Sequence, residues 1–180
     1  MSQPTPKHLE NFFNRLYKLQ RGERAVLARA LNQDRPSSHV PAFGIVERFV
    51  GDKEQGWRRD CYYLVAALFG KLEKETPKER PTGQVFAKAV KAYSRKESSG
   101  DGLSPTERRF LALLDSDSEE LPYRLRQLTS MITTGRNRIQ SLLDWPSLLQ
   151  DLTKWNFESR ATQKKWAQEF YRNETKEEKE

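Results

Sequence analysis

Residues 57–69, WRRDCYYLVAALF, place Cys61, Leu64, Val65 and Leu68 at steps of three and four. That period marks one face of an α-helix, and no alternating apolar–polar pattern competes with it. A helix from about Trp57 to Phe69 is therefore expected, with Arg58 and Arg59 opposite its apolar stripe. Toward the N-terminus, Leu9, Phe12, Phe13, Leu16 and Leu19 repeat the spacing. Gly22 interrupts, and Ala25, Leu27, Ala28 and Leu31 continue as a short second helix. Pro36 to Pro41 reads as a loop, and Pro41 suits the first turn of a helix carrying Phe43, Val46, Phe49 and Val50.

Toward the C-terminus, residues 71–82 are charge-rich, contain two prolines and lack apolar periodicity, which predicts an exposed loop. A helix with Phe86, Val90 and Tyr93 follows, then a second flexible connection over residues 95–104. Ser104-Pro105-Thr106-Glu107 has the capping-box arrangement and opens a helix that buries Phe110, Leu113 and Leu114. Leu121, Leu125, Leu128 and Ile132 line the next helix. Asp144-Trp145-Pro146 begins another, with Trp145, Leu148, Leu149, Leu152 and Trp155 on one face. Ser159 is placed to cap the last helix, which buries Trp166 and Phe170. The expectation is all-α: a compact bundle of eight or nine helices, as one unit or two small lobes. Residues 1–170 form a single domain on this reading, and 171–180 form a charged tail expected to be disordered.

The chain has 180 residues, 4 Trp, 6 Tyr and 9 Phe, enough large apolar side chains to argue against wholesale disorder. No apolar run approaches the roughly 20 residues of a membrane span. The start, MSQPTPKHLENFF, lacks a charged-then-apolar signal pattern, which predicts a cytoplasmic protein without a membrane partner. One cysteine and two histidines, His8 and His39, argue against a structural zinc site. Cys61 sits on the apolar stripe with no identifiable activating base, so a buried structural thiol is expected. Read as a calcium loop from Asp115, the acidic run has Glu120 where glycine is needed and Arg126 where a bidentate glutamate is needed. Neither GxxxxGK[ST] nor GxGxxG occurs. The chain therefore reads as a non-enzyme with no cofactor and no small-molecule substrate.

A net charge of +7 favours a polyanionic partner. The surplus is uneven: residues 121–143 hold Arg124, Arg126, Arg136 and Arg138 and no acid. Solvated helices normally mix both signs, so this stretch is the first candidate contact surface. Lys88, Lys91 and Arg95 share a helix face at i, i+3 and i+7, and Arg24, Arg29, Arg108 and Arg109 add cations on other helices. Guanidinium forks suit phosphate oxygens and bind them without reading sequence.

Several short motifs also resemble one family. Leu142-Leu143-Asp144-Trp145-Pro146, followed by Leu149, Leu152-Thr153 and Trp155, is similar to the LDWP…L…LTxW segment of the CasB family. Leu19 through Arg29, Val40-Pro41-Ala42-Phe43, Glu107-Arg108-Arg109-Phe110 and Leu125-Arg126-Gln127-Leu128 resemble further family stretches in the same order. Ala28 and Gln127 depart from it, standing where the family often has a second arginine. That family is the small subunit of the type I-E CRISPR surveillance complex, Cascade. The resemblance implies a non-catalytic subunit, present as two copies, that contacts other Cascade subunits, guide RNA and target DNA and helps hold the displaced strand of the R-loop. It favours Arg29, Arg108, Arg109 and Arg126 as nucleic-acid contacts, with Arg24, Arg58, Arg59, Lys88 and Arg160 secondary. Two alternatives stand beside it: a purely structural protein scaffold, and a helix-turn-helix regulator built on the Leu19–Leu31 unit.

Overall fold

The computed structural model describes residues 7–73, 85–97, 100, 102–133 and 143–172. Most of the 71–82 stretch, Arg136, Arg138 and tail residues 173–180 lie outside the described residues. Nine α-helices are described: α1 (Lys7–Tyr17), α2 (Arg21–Ala30), α3 (Phe43–Val46), α4 (Trp57–Leu72), α5 (Phe86–Ser94), α6 (Pro105–Asp115), α7 (Leu121–Thr133), α8 (Trp145–Thr153) and α9 (Ala161–Tyr171). The all-α expectation holds.

The central element is α4. Every residue from Cys61 to Phe69 is buried, so this stretch of the helix is apolar all round and sits inside the others. Helix α2 packs along one side of it, α8 and α7 along others. Helices α5, α6, α7 and α9 pack among themselves. Buried residues from Leu9 to Phe170 form one cluster.

The α2–α4 contact is unusually close at Gly70. A Cβ added there would lie 2.6 Å from the Arg24 carbonyl oxygen, 3.0 Å from the Ala28 nitrogen and 3.0 Å from Leu27 Cβ. Backbone atoms cannot give way as a flexible side chain can, so the absence of a side chain is what lets the two helices meet here.

Tryptophans tie the bundle together around α8. Trp57 Nε1 donates to the Leu152 carbonyl (2.7 Å), and Trp145 Nε1 to the Glu73 carboxylate (3.2 Å). Trp155 Nε1 donates to the Ser116 carbonyl (2.9 Å), and Trp166 Nε1 to the Asp151 carboxylate (2.7 Å). Each indole thus meets its one polar requirement while its rings pack against the core.

Local side-chain chemistry sets the starts of α6 and α8. Ser104 Oγ accepts from the Glu107 backbone N–H (3.1 Å), as the sequence predicts. The Glu107 carboxylate accepts from the Tyr171 hydroxyl (2.9 Å), and Glu97 accepts from Thr106 N–H (3.2 Å). Asp144 caps α8 through the Ser147 N–H (3.0 Å).

Four expectations change. Helix α2 begins at Arg21, so Gly22 lies inside its first turn, where the Glu23 carboxylate takes the Gln20 N–H (2.9 Å). The helix expected after Pro41 is broken into two 3₁₀ turns around the short α3; Gly44 and the β-branched Ile45 and Val46 are weak helix formers. Helix α8 stops at Thr153, and Trp155 occupies the turn beyond it. Ser159 does not cap α9: the boundary residue is Arg160, in the left-handed region at φ 49°. Its guanidinium reaches the Leu114 carbonyl (2.5 Å) and Asp115 (3.9 Å), contacts that hold this unfavourable backbone in place.

Gly70→Ala decides between two opposed effects. Helix propensity alone would stabilise by about 0.5–1 kcal/mol, while overpacking against rigid backbone costs about 1–3 kcal/mol. Urea unfolding should show net destabilisation; a stabilised variant would mean that α2 and α4 separate freely.

Glu73 is buried at the end of α4, and burial pushes its carboxyl up to about 6, opposed by the Trp145 N–H and by Arg24. Between the ordinary value of 4.5 and about 6, the folded chain holds a proton that the unfolded chain has released. Stability therefore falls as pH rises through this window, by about 2 kcal/mol in all. Glu73→Gln stays neutral and still accepts from Trp145, so it should match the parent near pH 4.5 and exceed it at pH 7.5. Equal stability at both pH values would remove Glu73 as the cause.

Candidate nucleic-acid interface

Three helices bring cations together at one small cavity. The last turn of α2 supplies Ala28 and Arg29, with Leu31 and Asn32 just beyond; the end of α4 supplies Lys71; the middle of α7 supplies Arg126 and Ser130. The cavity holds about 190 Å³, and among the described residues no carboxylate lines it. Arg29 and Lys71 are exposed, while Arg126 is half-buried.

Arg126 is fixed by the fold. One of its terminal nitrogens donates to the Leu31 carbonyl (2.9 Å), closing the C-terminal end of α2. A cation belongs there, because the last carbonyls of a helix carry a partial negative charge of about one half. Three full positive charges outweigh that half charge, so the cavity presents net positive potential to an anion.

A larger cavity of about 500 Å³ lies near the start of α4, but its walls include Asp34, Asp60 and Glu119 against the single cation Arg35. Phosphate would be repelled from it. Size points to one cavity and charge to the other, and for a polyanion charge decides.

Of the nine predicted contact residues, the structure brings Arg29 and Arg126 to the positive cavity. The other seven do not line it. Arg24 is corrected outright: it is only 4% exposed, faces α4 with Leu27 and Ala30, and donates to the Glu73 carbonyl (3.3 Å). A buried cation at the end of α4 serves the helix junction and is not available to phosphate. Arg58 forks onto Glu54 through Nε (2.6 Å) and a terminal nitrogen (3.2 Å), which also holds the Glu54 carboxyl below its usual range. Arg59 pairs with Glu47, which also accepts from the Tyr63 hydroxyl. Arg160 spends its guanidinium on Leu114 and Asp115.

Arg108 and Arg109 are exposed on α6 and bond only to backbone carbonyls of their own helix start, Leu103 (3.2 Å) and Pro105 (3.4 Å), among the described residues. Lys88 is exposed on α5. Its neighbour Lys91 donates to the Arg172 carbonyl, so the predicted three-cation face is partly used to join α5 to the end of α9.

The sequence reading missed Lys71 by ending the helix at Phe69. Apolar spacing could have found it: Val65, Leu68, Phe69 and Leu72 continue at i, i+3, i+4 and i+7, carrying α4 past Gly70 to Leu72. Cys61 is buried, and burial pushes its thiol well above the usual range, so the thiolate needed for nucleophilic chemistry is disfavoured.

Comparison with known proteins places the chain. A family model for the CRISPR-associated protein Cse2 matches residues 23–171. The chain belongs to the Cse2 family. A Cse2 protein of Thermus thermophilus is 30% identical over 169 residues, covering 90% of this chain and 89% of the relative. The crystal structure of M. ruber CasB is 31% identical with a TM-score of 0.72, covering 93% of this chain and 94% of that one. A chain of a CRISPR RNA-guided surveillance complex, 20% identical, has a TM-score of 0.68 and 91% coverage of both chains, a likeness of fold. The resemblance to CasB read from the motifs is thereby established, and Arg29, Lys71 and Arg126 all fall inside the span matched to Cse2.

Two cavity residues should differ in what they do for stability. Arg126→Ala removes the bond to Leu31 and should cost about 0.5–1.5 kcal/mol in urea unfolding. Arg29→Ala, at an exposed position, should stay within about 0.5 kcal/mol of the parent. Equal losses would show that Arg29 also holds the fold.

Proposed function

We propose that this Cse2-family chain is a non-catalytic subunit of a type I-E Cascade complex that grips nucleic acid without reading its sequence, helping to hold the guide RNA–target DNA R-loop and the displaced strand. The observation that carries the reading is the α2–α4–α7 cavity: three cations from three separate helices, with no carboxylate among its described walls. Its volume suits a phosphate group, and its polar partners, the Asn32 amide and the Ser130 hydroxyl, are of types that bond phosphate oxygens. Cations dominate the walls, so backbone phosphate is the expected ligand and the grip is expected to be indifferent to sequence. Arg108 and Arg109, exposed on α6, extend the same role to a second surface.

Exposed apolar side chains favour protein contacts alongside this role. Val40 (66% exposed), Phe157 (54%) and Leu103 (45%) are well out of the core and suit docking to neighbouring subunits of such an assembly, including a second copy of the chain.

Titration of the full-length chain with labelled oligonucleotides at several salt concentrations tests the reading. Affinity should fall steeply with salt, because each neutralised phosphate releases counterions. Arg29→Glu with Arg126→Glu should flatten the slope of log affinity against log salt by about one to two. A salt slope near zero in the parent would leave the scaffold role standing alone.

A further inference from the structure

We propose that Tyr123 is a base-stacking platform that makes the α2–α4–α7 cavity favour unpaired nucleotides over duplex; this rests on the reading of that cavity as a phosphate site. Tyr123 lies in the first turn of α7, whose buried side is Leu121, Leu125 and Leu128. Tyr123 is not among those buried residues and is 48% exposed. An exposed aromatic is common, but this one is held in place. Gln127 Nε2, one turn on, donates to its hydroxyl (2.5 Å), which orients the ring along the helix.

The link to the cavity is Arg126. Its guanidinium carbon lies 5.4 Å from the centre of the Tyr123 ring, and the same side chain lines the cavity and donates to Leu31. Arg124 lies 5.9 Å from the ring centre on the same helix. One guanidinium therefore separates the phosphate-sized space from the aromatic face, so a nucleotide held by its phosphate in the cavity brings a base within reach of the ring. The two guanidinium groups lie within cation–π range of the ring, and a base stacked on the ring would add to that cluster, as in single-strand grooves that combine aromatic rings with arginines. Tyr171, equally exposed, differs in kind: its hydroxyl donates to the Glu107 carboxylate, and a negative charge beside the ring repels the phosphates that a base brings with it.

The selectivity follows from what duplex hides. Base faces inside a double helix are already stacked on their neighbours, so only unpaired or terminal nucleotides can use the ring. Phosphates, by contrast, are offered by both forms. Cations set how tightly any strand is held, and the tyrosine sets the difference between strands.

Three probes of equal length, used with the full chain at one fixed salt concentration, separate these effects: a single strand, the same strand with abasic sites, and a duplex. The parent should bind the base-bearing strand at least about fivefold more tightly than the abasic one, the lower end of what one base on an aromatic ring contributes. Tyr123→Ala should erase that difference and weaken duplex binding far less than single-strand binding, while Tyr123→Phe should keep it. A parent that does not distinguish the abasic strand, or a Tyr123→Ala variant that retains the preference, overturns the inference. Arg29→Glu with Arg126→Glu should weaken all three probes. If it binds them as the parent does, the phosphate reading of the cavity fails, whatever Tyr123 does.

Discussion

The close approach of α2 to α4 at Gly70 underlies both the core and the candidate interface. A glycine at that point lets the backbone of α2 come within contact of α4, with Arg24, Ala28 and Leu27 as the touching residues. The residues next in sequence to those contacts, Lys71 on α4 and Arg29 on α2, are consequently carried to the same place. Two like charges would not choose to be neighbours. They are brought together by packing, and the free energy of burying α4 offsets their repulsion in solvent, where charges a few ångströms apart interact by only about 1 kcal/mol.

Arginines elsewhere on the molecule show what happens without such a constraint. Arg15, Arg58 and Arg59 each find a carboxylate, and Arg160 finds a backbone carbonyl at a helix end. A surplus of seven positive charges is small against 32 basic side chains, so pairing absorbs much of the apparent surface. Arg29 and Arg126 differ because the walls around them offer no acid. The cavity is positive through the local absence of carboxylates more than through an abundance of cations.

This explains which parts were legible in the sequence. Helical period survives folding because it is a property of each segment, so α1, α4, α6, α7 and α8 could be read directly. The Asp144-Trp145-Pro146 motif was readable for the same reason: a capping carboxylate, a buried indole and a proline in the first turn all act locally. The candidate interface was legible only in part. Arg29 and Arg126 are 97 positions apart in the chain, and nothing in either segment states that Arg126 will reach Leu31. Arg24 was misassigned because a cation on an amphipathic helix ordinarily faces water; here the end of α4 supplies it with a buried carbonyl. The Arg160 turn was missed because it depends on contacts with α6, not on its own sequence.

One consequence lies in the four tryptophan hydrogen bonds. Each has an end between Trp145 and Trp155, and the opposite ends lie on α4, at Glu73, before α7 and on α9. Intrinsic fluorescence of this chain is accordingly a gauge of the docking of α8, because all four indoles lose a hydrogen bond when that short helix detaches. Trp57 also lines a cavity with Pro122 in the first turn of α7, so its emission would register a rearrangement there as well.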